Sequence, residues 1–247
     1  MKLSRVEQAA RNNAIWCDTV CRLHGTPGQF LENAWVNHYR TPAYYPNLVT
    51  LREAANPVAV LENVRDLIGR ALPGSWAVKD SFQTLDLSTL GFAALFQAAW
   101  IWHDGLGQRP VSPTAEIRWG RVVSPDELAI WEAKWSKADK DAVIADRSHQ
   151  FKPKLLADPH VVVFAGYRGP QLIAGGIANS SGDVVGLSNV FTPPHDESLV
   201  WAGLLQKTQA AFPGMPIVGY EHDSSLKAAL ACGFAEIGTL TVWLHHA

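Results

Sequence analysis

The sequence has little cysteine, no excess of either charge and no long apolar run. Three cysteines in 247 residues, Cys17, Cys21 and Cys232, build no disulfide framework. Cys17 and Cys21 stand four apart on an expected helix, a spacing that a metal site can use. Apart from His24, no nearby His or Cys offers a further ligand to complete a set, so both read as packed thiols. A formal net charge of −2, with no basic stretch interleaved with aromatics, gives no footprint for nucleic acid. No segment approaches the ~20 apolar residues of a membrane-spanning helix. The opening MKLSRVEQAARNNAIW lacks the apolar core of a signal peptide. The expectation is a cytoplasmic protein with no membrane or nucleic-acid partner, acting on small molecules or proteins.

What the sequence does have is tryptophan, ten in all, and a repeat. Residues 73–103 and 213–245 follow one plan: Pro-Gly turn, apolar strand, polar corner, short helix, Gly-Phe, and a strand closing on an aromatic and a histidine. Pro73-Gly74 and Pro213-Gly214 lie 140 residues apart, and Gly91-Phe92 and Gly233-Phe234 lie 142 apart. A unit of this size buries a core of its own, unlike a solenoid repeat. Two related domains are therefore expected, 1–112 and 113–247, the first incomplete.

Periodicity fills in the elements. Residues 4–24 read as a helix ended by Gly25, and Phe30 to Trp35 as a further short helix. Asn47 to Arg52 alternates as a strand, Pro57 to Leu72 is helical, and strands at 75–79 and 92–102 flank a short helix near 86–90. Gly105 to Pro113 is the clearest linker. Ala115 to Val123 alternates. Ser124-Pro125-Asp126-Glu127 then combines an N-cap serine, a first-turn proline and a capping-box glutamate. The run 134–154, with six Lys and Arg, reads as a solvated face. Three strands, 160–167, 172–178 and 184–191, precede a helix at 196–212, a strand at 216–221, a helix at 224–231 and a closing strand at 235–244. The layout is α/β (α+β): in each domain a mixed, mostly antiparallel sheet flanked by helices.

That order, with Val190-Phe191-Thr192-Pro193, Leu204-Leu205, Glu221-His222 and Gly233-Phe234 in place, resembles the GNAT superfamily of acyl-CoA-dependent N-acyltransferases. The match is most specific over 115–247. Residues 45–103 resemble the latter half of the same domain, so tandem members, one half of which often lacks activity, are the parallel. The resemblance implies acetyl-CoA or another acyl-CoA as donor and an amine as acceptor. It also implies a loop, Arg/Gln-x-x-Gly-x-Gly/Ala, whose bare amides at a helix N-terminus hold the pyrophosphate. In the corresponding run 193–205, Asp196 stands for the arginine, and Glu197, Leu199 and Trp201 stand at glycine positions. Carboxylates there repel phosphate, and Leu199 and Trp201 add bulk where bare backbone is needed, although acids also stabilise a helix N-terminus. The tyrosine that serves many members as general acid corresponds to Ala229, and to Leu87 in the first copy. The asparagine at the start of the short helix corresponds to His222 and Asp80.

The candidate catalytic residues are Glu221 and His222, followed by Asp223, where a carboxylate beside an imidazole can deprotonate an amine. Alternation on a strand lets either Glu221 and Asp223, or His222 alone, face one side; capping the short helix is the competing role. Phe191, His195, Ser198 and Trp201 are the candidate contacts to a bound donor. Trp35, His38, Tyr39, Tyr44 and Tyr45 form an aromatic-polar cluster suited to a small-molecule pocket or to a domain interface. Trp100, Trp102 and Trp243 read as core. Two functions stay open: a non-catalytic, ligand-binding or regulatory member, or an N-acyltransferase with a non-standard donor site. A tryptophan-rich surface would also suit a homodimer.

Overall fold

The computed structural model describes residues 3–53, 57–106, 117–138 and 149–246. The linker expected at 105–113 therefore falls largely, and the basic run at 134–154 partly, outside the described residues. The chain divides into two compact units, Met1–Trp100 with Ile237–Ala247, and Ile101–Glu236. Both cuts fall inside strands rather than near residue 112: the closing strand of each repeat copy ends in the unit built mainly from the other copy.

In the first unit, helix α1 (Arg5–Leu23) opens with a capping box. The Ser4 hydroxyl accepts the Glu7 amide at 3.1 Å, and the Glu7 carboxylate accepts the Ser4 amide at 2.9 Å. Its inner face buries Ala10, Ala14, Val20 and both cysteines. Burial pushes the Cys17 thiol up to about 11 and raises Cys21 as well, as expected of inert packed thiols. The sheet runs β1 (Gln29–Phe30), β2 (Ala34–Val36), β3 (Leu48–Thr50), β4 (Trp76–Asp80), then β11 (Ala235–His245) and β5 (Phe92–His103). Helix α2 (Pro57–Gly69) links the parallel pair β3 and β4, while β11 lies antiparallel to β4, His245 opposite Trp76.

The helix expected at 30–35 is instead the β1–β2 hairpin. Trp35 is fully buried and its indole N–H donates to Asp18 at 3.1 Å, so tertiary pairing overrides the local pattern. The short helix near 86–90 is a single 3-10 turn, Ser88–Leu90.

In the second unit, β6 (Arg118–Arg121), β7 (Val161–Arg168), β8 (Gln171–Ser181) and β9 (Val184–Phe191) form antiparallel neighbours. β10 (Ile217–Glu221) joins β9 in parallel, with helix α4 (Glu197–Ala211) as the crossover. Residues 101–103 of β5 lie beside β10. Helix α3 (Pro125–Ala138) starts with the expected box, in which the Ser124 hydroxyl accepts the Glu127 amide at 3.3 Å and Glu127 accepts the Ser124 amide at 3.2 Å. Its Trp131 donates to the Phe164 carbonyl at 2.8 Å. That approach needs Gly175, where a Cβ would stand 2.3 Å from the indole. The core joins Ala178, Leu187, Val200, Trp201, Leu204, Ile217, Ala229 and Phe234. Helix α5 (Asp223–Ala231) follows β10.

The two repeat segments share left-handed backbone positions in the same order: Gly74 and Gly214, Gln83 and Asp223, Gly91 and Gly233. Each closing histidine covers a Gly-Phe turn inside its own unit. His245 packs on Phe92, centroids 4.9 Å apart, and His103 packs on Phe234 at 5.3 Å.

Candidate functional site

In the second unit the parallel ladder of β9 and β10 holds at Ile217↔Val185 and Val218↔Gly186. The C-terminal residues of both strands lie beyond it. β9 there carries one extra residue: Gly175 faces Phe191 while Ile177 faces Ser188, and Asn189 takes up the bulge at φ 52°. His195 (φ 71°) and Asp223 (φ 53°) also adopt left-handed conformations. Three strained non-glycine residues thus gather around the ends of two strands and the starts of the two helices that follow them. Such strain concentrates at functional sites.

Glu221 ends β10 and is half-buried. Burial lifts its carboxyl to about 7, against the opposing effects of a hydrogen bond from Ser225 and of the neighbouring His222. Ser225, in the first turn of α5, also accepts the indole N–H of Trp201 at 3.0 Å. His222 is the N-cap residue of α5 and is exposed; its Nδ1 lies 2.8 Å from the Asp223 carboxylate. His222 and Asp223 thus engage each other at the surface, and Glu221 alone turns inward.

The other candidates separate. Phe191 is buried against Trp131, rings 5.2 Å apart and nearly perpendicular. Trp201 is fully buried, edge-on to Phe234 at 5.6 Å. It adds no bulk to the loop it was expected to crowd, because that position of α4 faces inward. Ser198 and His195 are exposed at the helix start. Asp196 gives α4 no side-chain cap; its carboxylate instead meets Arg168, from the end of β7, at 2.9 Å. That pairing of residues 28 apart carries no local sequence signal.

Ala229 and Leu87 are both fully buried and apolar. In the first unit Asp80, at the end of β4, is fully buried and accepts the Leu85 amide at 2.8 Å and the Phe82 amide at 3.3 Å. Burial raises its pKa too, but its oxygens are spent on a turn. The aromatic cluster of that unit does not converge on one point. Trp35 is bound to Asp18, His38 pairs with Asp66 at 3.4 Å, Tyr45 is buried, and Tyr39 and Tyr44 are exposed. Trp100 and Trp102 are buried and donate to the Ser81 carbonyl and to Asp104. Among the described residues no cluster of His, Cys, Asp and Glu could hold a metal, and no helix is long and apolar enough to cross a membrane.

No family model matches the sequence, and no curated protein matches it either. Solved structures do. A GCN5-related N-acetyltransferase from Kribbella flavida superimposes with a TM-score of 0.66 at 14% identity, over 96% of this chain and 95% of that one. A conserved protein from Staphylococcus epidermidis gives 0.60 at 9% identity, over 88% and 86% of the two chains. A GCN5-related N-acetyltransferase from Sphaerobacter thermophilus gives 0.55 at 8%, over 81% and 71%. At such identities the likeness is one of architecture: this chain has the fold of the GCN5-related N-acetyltransferases.

Proposed function

We propose that the chain transfers an acyl group from a CoA thioester to an amine, in the second unit, with Glu221 as general base. The observation that carries this reading is the half-buried carboxylate at the end of β10, with a pKa of about 7. A base poised near neutral pH is half ionised where an amine is still largely an ammonium ion, and so can accept its proton. Asp80, at the corresponding strand end of the first unit, is committed to the Leu85 and Phe82 amides, which leaves the second unit as the seat of chemistry. The recurrent left-handed positions support descent of the two segments from one duplicated domain.

The residues at α4 fit an acyl-CoA diphosphate. No side chain caps the helix, so its first-turn amides are offered to an anion. Asp196 is drawn towards Arg168, which brings a cation to the same helix end, and Trp201 is inside the core. Glu197–Leu199 would hold the phosphates through their amides, with Ser198 adding a hydroxyl; the Glu197 carboxylate opposes binding. The thioester supplies an activated acyl carbon. Glu221 removes a proton from the amine, freeing its lone pair, and the exposed His222–Asp223 pair lines the approach. As the amine nitrogen bonds to the acyl carbon the C–S bond breaks, and because Ala229 has no proton to give, the CoA sulfur leaves as thiolate and takes its proton from solvent.

That last residue favours a second reading, a binding or regulatory protein that has kept the fold without turnover. Release of CoA thiol from acetyl-CoA with a panel of small amines separates the two. Acyl transfer predicts turnover that falls about 100-fold or more in Glu221→Gln. Calorimetric binding of acetyl-CoA with no turnover over the whole panel would favour the second reading instead.

A further inference from the structure

His103 ends β5, and its imidazole is buried against Phe234, centroids 5.3 Å apart. Its Nδ1 accepts the Gly105 amide at 3.0 Å. A neutral imidazole has one N–H and one lone pair, whereas the imidazolium ion has two N–H groups and no acceptor. A bond into Nδ1 therefore requires the neutral ring with its proton on Nε2. Gly105 has little room to adjust: at φ 72°, a Cβ on it would stand 2.2 Å from the Met215 carbonyl oxygen. Met215 and Pro216 lead into β10, and the Pro216 carbonyl accepts the Val185 amide at 2.9 Å. The bond thus seats the turn after β5 against the entry to the strand whose other end carries Glu221. All of these residues lie in the second unit.

We infer that His103 is an acid-released latch: as the neutral ring it holds the Gly105 amide against the entry to β10, and on protonation it lets that amide go. Protonation sets two N–H groups against each other and strips a closely packed amide of its acceptor, which is costly where water does not replace it. Burial acts in the same direction and holds the ring below its ordinary pKa of 6.5, while the neighbouring Asp104 carboxylate opposes it. Asp104 is itself anchored by the Trp102 indole N–H at 2.6 Å. On the side of Gly233, burial keeps Cys232 a neutral thiol; Phe234, Gly105 and Met215 carry no charge. Because the folded midpoint is depressed, the latch is complete above pH 6.5 and is lost as pH falls through the lower value. The repeat alone does not create it. His245 packs on Phe92 in the same way, yet its buried Nδ1 meets no partner among the described residues.

The test is an NMR titration of the histidine rings and of the Gly105 amide in nitrogen-15-labelled protein, with both residues assigned through backbone connectivity. No acyl donor or amine enters the measurement, so its outcome is independent of whether acyl transfer occurs. At about pH 8 the His103 ring should carry its proton on Nε2 and have a bare Nδ1. As pH falls, the hydrogen-exchange protection of Gly105, corrected for the intrinsic rate, should drop about tenfold with the same midpoint as the ring. His103→Phe keeps a flat ring against Phe234 and should leave Gly105 unprotected to the same extent at every pH. Asp104→Asn keeps an acceptor for Trp102 but removes the charge, and should move both midpoints together to lower pH. Three results would overturn the latch: a proton on Nδ1 at pH 8, a ring that stays neutral until the protein unfolds in acid, or Gly105 protection that does not follow the ring. If His103→Phe fails to fold by near-ultraviolet circular dichroism, the wild-type titration and Asp104→Asn still decide.

Discussion

Replacing Glu221 by Gln should make the protein more stable and less active, and the gain should depend on pH. The carboxyl is raised from an ordinary 4.5 to about 7 in the folded state. The sign follows from which state binds the proton more tightly. Below about pH 4.5 the group is neutral in both states and costs nothing. As pH rises through 7 the unfolded chain ionises first and the folded state is penalised. At about 1.4 kcal/mol for each pH unit between the two midpoints, the full penalty is about 3 kcal/mol. Gln has nearly the same shape and never ionises. Urea unfolding should therefore show Glu221→Gln ahead by under about 1 kcal/mol at pH 5 and by about 3 kcal/mol above pH 8. A carboxylate kept at such a cost is what a functional site looks like. A stability difference that does not change with pH, or a variant weaker than wild type at pH 8.5, would refute the reasoning.

Three further predictions rest on other contacts. Gly203→Ala puts a Cβ 2.2 Å from the Trp119 indole nitrogen; overpacking of this kind costs about 1–3 kcal/mol and should alter the near-ultraviolet circular dichroism. His245→Ala removes the ring contacts to Trp76 and Phe92, and His103→Ala removes the Phe234 contact and the acceptor of the Gly105 amide at 3.0 Å. Each should lower stability by about 1–3 kcal/mol in denaturant titration. Glu197→Gln removes the carboxylate that opposes phosphate at the start of α4 and should tighten CoA binding about fivefold by calorimetry.

The parts of the fold governed by local chemistry were legible in the residues. Ser4 with Glu7 and Ser124 with Glu127 announce two helix starts, and Gly91 and Gly233 mark the left-handed turns before Phe92 and Phe234. Pairing over distance was not legible. The period of residues 30–36 cannot tell that Trp35 will find Asp18. Nor does a repeat reveal which unit its closing strand will complete, because both copies offer the same Gly-Phe surface to a histidine. At the site, strand alternation already sets Glu221 apart from His222; what it does not show is that Asp223, left-handed at φ 53°, joins His222 at the surface and leaves Glu221 alone. Trp201 looked like an obstruction in the loop because sequence position does not say which side of α4 it occupies. Its partner Ser225 lies 24 residues away.

The most direct test is the pH profile of kcat/KM for acyl transfer to an amine. The account predicts an ascending limb with a midpoint near 7 that belongs to Glu221 and disappears in Glu221→Gln. A profile with no transition in that region, or one that survives the substitution unchanged, would contradict it.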